Sequence, residues 1–215
     1  MKYNPPQNPV FEVVFQDEDL IVFNKPCELL TVPGKHIEHK DSLQLRAQRV
    51  WPSATIVPRL DMATSGLLIM ALNTAAHRHI SKPLENRQIQ KTYYARVLGV
   101  PAQSSGTVEL PLICDWPNRP MQMVDHENGK PACIHWTLEN HNDQTSLLKL
   151  IPVTGRSHQL RVHMLSIGHA ILGDRLYASD EGKALSSRLC LHAFNIRFEH
   201  PVSGRSLYFE TPYFF

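Results

Sequence analysis

Two short apolar runs, Phe11-Glu12-Val13-Val14-Phe15 and Leu20-Ile21-Val22-Phe23-Asn24, flank the polar stretch Gln16-Asp17-Glu18-Asp19 and read as a β-hairpin that Lys25-Pro26 ends. Residues 27–40 carry the turn signal Pro33-Gly34 and are expected at the surface. Asp41 then stands as an N-cap, with Leu43, Ala47, Val50 and Trp51 at helical spacing behind it and Arg46 and Arg49 on another face. That helix should end before Pro52. Residues 66–72 are a glycine followed by an aliphatic run of the sort found in a buried strand. Asn73-Thr74 begins a short helix with Ala76, Ile80 and Leu84 at i, i+4, and Pro83 should kink or stop it.

Further strands are expected over residues 89–99, 107–112, 133–138 and 146–153, the last with alternating burial. Within this stretch, Cys114-Asp115-Trp116-Pro117-Asn118-Arg119-Pro120 is a stiff, proline-bounded loop with one aromatic and one cation. The residues alone leave open whether Trp116 is tucked inward or presented. Ser157 can cap a helix through Leu160, Met164 and Leu165, with Arg161 near its first turn and Gly168 as its stop. Residues 188–200 and 206–211 form a second hairpin around Val202-Ser203-Gly204. Many strands, few helices and no regular βαβ alternation predict an α+β fold, a single domain with a mixed, largely antiparallel sheet and flanking helices.

Composition narrows the function classes only a little. The chain has 215 residues, an ordinary apolar fraction of 42% and a formal net charge of +2, too small to announce a nucleic-acid partner by itself. No apolar run approaches the roughly 18–20 residues that span a bilayer, and the start lacks a secretory h-region, so a cytoplasmic location is expected. Cys27, Cys114, Cys133 and Cys190 form no Cys-x-x-Cys pair. The nearest histidine clusters, His36 with His39 and His158 with His163, lack the i, i+4 spacing and carboxylate of a zinc helix, so no metal is expected.

The chemistry is concentrated in Pro58-Arg59-Leu60-Asp61-Met62-Ala63-Thr64-Ser65-Gly66, where a cation, a carboxylate and two hydroxyls gather at the mouth of the buried strand. Unpaired polar groups there cost roughly 1–3 kcal/mol each, so they must find partners or do work. A turn in which Asp61, Thr64 and Ser65 bond to nearby backbone accounts for the pattern as well as a catalytic centre does. Resemblance separates the two. Arg-Leu-Asp-x-x-Thr-Ser-Gly before an aliphatic strand closely resembles the catalytic motif of the RluA-type pseudouridine synthases. Lys91-Thr92-Tyr93-Tyr94-Ala95 and Gly155-Arg156-Ser157-His158-Gln159-Leu160-Arg161-Val162-His163, with its sequel Gly168-His169-Ala170-Ile171-Leu172-Gly173-Asp174, resemble the family's later motifs in the family's order. Pro58 and Ala170 depart from it, standing where histidine and proline are usual.

The resemblance implies an RNA cleft across the sheet and, because the catalytic pattern begins near residue 10, no separate N-terminal RNA-binding domain. It implies an isomerase that needs no cofactor. The bond from ribose to N1 of uracil breaks and is remade to C5, and the site must hold the detached base while it turns. Asp61 is implied as the nucleophile, by attack on the sugar or by assisting elimination. Arg161 is implied as its partner, and a cation beside a partly buried carboxylate favours the ionised form. Tyr93 is implied to stack near the base and act in proton abstraction. Arg59 is implied to fill the gap left by a flipped base. Arg119 and Arg156 are candidate phosphate or base contacts, and the 114–120 string resembles a segment of a member acting on both ribosomal and transfer RNA. Structured RNA is therefore the expected partner: a transfer-RNA anticodon stem-loop, with a 23S ribosomal RNA loop as a second substrate. Two other classes fit parts of the pattern. One is an RNA-binding module or chaperone without catalysis; the other is a glycosidase, which usually needs a second carboxylate that no comparable cluster supplies.

Overall fold

The computed structural model describes residues 3–57, 59–85 and 89–215, with the side chains of 82–85 outside the description. The elements in chain order are β1 (Glu12–Gln16), β2 (Leu20–Lys25), α1 (Leu43–Gln48), β3 (Thr55–Val57), β4 (Ser65–Ala71), α2 (Thr74–Glu85), β5 (Gln90–Leu98), β6 (Ser105–Glu109), β7 (Leu112–Cys114), β8 (Gln122–Val124), β9 (Cys133–His141), β10 (Thr145–Pro152), α3 (Gln159–Ser166), α4 (Asp180–Ala184), β11 (Leu191–Glu199) and β12 (Ser206–Glu210). The fold is α+β, with few helices and a sheet that is largely antiparallel. The chain divides into two compact units, residues 1–91 with 193–214, and residues 92–192 with 215.

In the first unit the strands run in the order β1-β2-β4-β11, with β3 also paired to β4 and β12 to β11. β2 and β4 are continuous apolar runs because helices cover both of their faces. Leu20 and Val22 of β2 and Leu67 and Ile69 of β4 pack with Ala76 and Ile80 of α2 on one side. Their alternates, Ile21, Phe23, Leu68 and Met70, pack with Leu43 and Ala47 of α1 on the other. A shift of register by one residue would exchange these two sets, so the pairing Val22↔Ile69 is fixed by both layers at once.

Several local expectations change here. The N-cap of α1 is Ser42, whose hydroxyl accepts from Leu45 N at 3.3 Å. Asp41 instead takes both Nε and NH2 of Arg46 at 2.8 and 2.7 Å. Arg46 is buried, with NH1 donating to Val10 O. Asn73 caps α2 as expected, accepting from Ala76 N at 2.8 Å, but the helix runs two residues past Pro83. The side chain of Leu84 lies outside the described residues.

The second unit orders its strands β5-β10-β9-β6, all antiparallel, with Tyr93↔Leu150 and Tyr94↔Lys149 opposite one another. β10 does not alternate in burial over its start: its first four residues are all buried. β7 and β8 form a separate two-stranded hairpin, with the 114–120 loop at its tip. No helix among the described residues is long and apolar enough to cross a membrane.

Candidate active site

Asp61 lies where the chain reverses between β3 and β4. Their antiparallel register, Val57↔Ile69 to Thr55↔Ala71, makes the intervening residues a loop, and Thr64 N closes a turn on Asp61 O at 3.1 Å. Both flanks of Asp61 are braced. The buried ammonium of Lys25 donates to Met62 O at 3.1 Å, Leu29 O at 2.8 Å and Pro26 O at 2.9 Å, and the hydroxyl of Thr31 donates to Leu60 O. A fully buried ammonium is costly unless its donors are used, and three carbonyls use them. Gly66, at φ +111°, brings β4 so close to β11 that a Cβ there would lie 2.6 Å from Ala193 N. Asp61 is half-buried and Arg59 exposed, while Pro58 lies outside the described residues.

The other predicted site residues belong to the second unit. Tyr93 is buried on the face of β5 that also carries Ala95 and Val97, and Tyr94 is half-buried on the opposite face. Arg161, only 5% exposed, lies in α3 with its guanidinium held by Asp174, Nε to Oδ2 at 2.7 Å and NH2 to Oδ1 at 2.6 Å. The ring of Tyr177 lies under the same guanidinium, 5.0 Å from its carbon to the ring centroid. Ser157 does not cap α3. The N-cap position is His158, at φ 52°, with no side-chain cap bond; Gln159 instead ties the approach together, accepting from Arg156 N and the Thr154 hydroxyl. Gly168, at φ +84°, ends the turn after α3 as expected. Arg156 is exposed, and its Nε donates to Pro131 O at 3.2 Å.

At the β7–β8 tip Trp116 is not tucked inward but 64% exposed, and the Arg119 guanidinium stacks over its ring at 4.5 Å. Asp115 N to Met121 O and Asn118 N to Asp115 O hold the loop that presents them.

Of the histidine clusters, His158 and His163 each have a protein partner. His158 Nδ1 pairs with the Tyr177 hydroxyl, and His163 Nε2 with Leu110 O. Among the described residues the side chains placed closely enough to share an ion are Asp17, Asp19 and His200. His200 Nδ1 accepts from Val202 N and Ser203 N, so its proton sits on Nε2, directed at Asp17 Oδ2 at 2.8 Å. That bond ties the β1–β2 turn to the β11–β12 turn.

Sequence reasoning missed Lys25, read only as the end of a strand, and gave Asp174 and Tyr177 no role. Lys25 did leave a signal: a lysine closing an all-buried strand must lead its ammonium to acceptors.

A carboxylate, a tyrosine and a guanidinium are each groups of the kind that can act on a sugar-base bond. Residues 19–166 match the family model described as RNA pseudouridylate synthase, and the chain belongs to that family: it is an RNA pseudouridine synthase, an isomerase acting on RNA. It is 52% identical over 211 residues to the Dual-specificity RNA pseudouridine synthase RluA of Escherichia coli (strain K12), covering 98% of this chain and 96% of that one. The protein of the same name from Vibrio parahaemolyticus is 47% identical, with 94% and 83% covered. Among solved structures, Human RNA Pseudouridylate Synthase Domain Containing 1 superposes with a TM-score of 0.80 at 28% identity, covering 97% of this chain and 86% of that one.

Proposed function

We propose that this enzyme modifies a uridine in the transfer-RNA anticodon loop and one in a similar 23S ribosomal RNA loop, with Asp61 as the nucleophile. In the reaction the bond from C1′ to N1 breaks, the uracil turns, and C5 takes the place of N1 on the sugar. One proton leaves C5 and one reaches N1, so nothing is gained or lost and no redox partner is needed. The Asp61 carboxylate meets the positive charge that develops at C1′. Tyr93 stacks on the turning base and assists removal of the C5 proton. Arg161 is the cation that the family pattern pairs with this carboxylate. Arg59 fills the space a flipped nucleotide leaves, recovering part of the few kcal/mol that unstacking costs. Arg156 and the Trp116–Arg119 pair offer cations for phosphate and an exposed ring on which an unpaired base stacks.

What carries the dual-substrate reading is that the likeness to the Escherichia coli protein named for dual specificity extends over 98% of this chain and 96% of that one. The test is to map pseudouridines in transfer and ribosomal RNA from cells lacking the protein, complemented with wild type or with Asp61→Ala. Sites in both RNA classes should vanish and return only with the wild type. Loss confined to one class overturns the dual-substrate reading.

A further inference from the structure

We propose that Tyr177 is a positioning residue that couples RNA contact at the β7–β8 hairpin to the orientation of Arg161; this rests on the reading of Arg161 and the hairpin given above. Tyr177 is 8% exposed and makes a different contact with each part of its side chain. Its face carries the Arg161 guanidinium at 5.0 Å. Its edge meets the His158 ring at 86°, centroids 5.6 Å apart. Its hydroxyl accepts from Gln122 N, in the first residue of β8, at 2.7 Å and pairs with His158 Nδ1 at 2.7 Å.

The backbone end of Tyr177 is fixed as well. Asp174 Oδ1, which takes Arg161 NH2 at 2.6 Å, also accepts from Tyr177 N at 3.2 Å and Leu176 N at 3.0 Å. Asp174, Arg161 and Tyr177 thus form a closed triangle. The ring reaches out of it to the hairpin through one hydrogen bond and through packing beside Leu112, Val124 and Met121. Trp116 and Arg119 lie at the far end of that hairpin. A base stacking on Trp116 loads the hairpin, Gln122 N carries the load to the Tyr177 oxygen, and a tilt of the ring alters the surface on which Arg161 rests. A phenylalanine would fill the same space but leave Gln122 N and His158 Nδ1 without this oxygen.

Coupling of this kind is measured by a double-mutant cycle rather than inferred from adjacency. Single-turnover tritium release from an anticodon stem-loop labelled at uracil C5, at saturating enzyme, is compared for wild type, Tyr177→Phe, Trp116→Ala and the double variant. Tyr177→Phe should lose about tenfold in rate, the scale of one hydrogen bond, with RNA affinity nearly unchanged. Trp116→Ala should slow the wild type at saturation yet add nothing in the Tyr177→Phe background. Rates that multiply, or a Trp116→Ala effect confined to affinity, overturn the coupling while leaving the enzyme's function intact. No release by the wild type overturns the substrate reading and this one with it. Should Tyr177→Phe fail to fold, the Trp116→Ala rate at saturation decides: an unchanged rate overturns the proposal.

Discussion

Asp174 should be worth more to this protein than its place at the end of a motif suggests. Its partner Arg161 is 5% exposed and Asp174 itself 1%, so the pair is out of water. Removing one partner of such a pair leaves an uncompensated buried charge and costs about 3–5 kcal/mol. Asp174→Ala also strips Leu176 N and Tyr177 N of their acceptor, which keeps the loss toward the upper end. For a chain of this length each kcal/mol moves Tm by about 2–4 °C, so a fall of about 10–20 °C is expected. Asp174→Asn keeps an oxygen for three of the donors but turns an amide toward Arg161 Nε, so it should fall between alanine and wild type. Thermal melts followed by circular dichroism give the order, and single-turnover rates below the melts show whether a loosened Arg161 also slows chemistry. An Asp174→Ala melt within about 2 °C of wild type contradicts the reasoning, because a buried pair cannot lose its anion at so small a cost.

Lys25→Met removes three hydrogen bonds to carbonyls but also the desolvation cost of the ammonium, leaving a net loss of about 2–4 kcal/mol in urea unfolding. Because Met62 O is one of those carbonyls, the variant should also turn over more slowly than its RNA affinity explains, and an unchanged rate argues that the brace does not set Asp61. Burial draws the pKa of Lys91 down to about 8 from an ordinary 10.5. The unfolded chain then holds a proton that the folded one has lost between those values, so stability should rise with pH from about 8 to 10.5. Lys91→Met should abolish that rise and be more stable than wild type at neutral pH by up to about 3 kcal/mol, and parallel pH profiles for the two proteins would refute it.

What was legible in the sequence is what has a local period or a contiguous motif. The unbroken apolar run of β4 announced a buried strand, and the two hairpins announced themselves by their turns. Caps were harder, because neighbouring residues compete for one role: Asp41 and Ser42 both suit an N-cap, and the demand of buried Arg46 for a carboxylate settles which serves. Ser157 lost its expected cap to a left-handed His158 and to the amide of Gln159, neither of which has a signature at that spacing. The brace from Lys25 to Met62 and the clamp from Arg161 to Asp174 join residues 37 and 13 apart, and no local window contains them. Trp116 could be placed only by the structure, since a proline-bounded loop serves an inward or an outward ring equally well.

Single-turnover tritium release by Asp61→Ala and Asp61→Asn tests most directly whether this one carboxylate has a covalent or charge-stabilising role. Both variants should bind the stem-loop about as tightly as wild type while losing at least about 10⁴-fold in rate, as expected when a nucleophile is removed from an otherwise intact site. Release at a rate near that of wild type by either one contradicts the assignment.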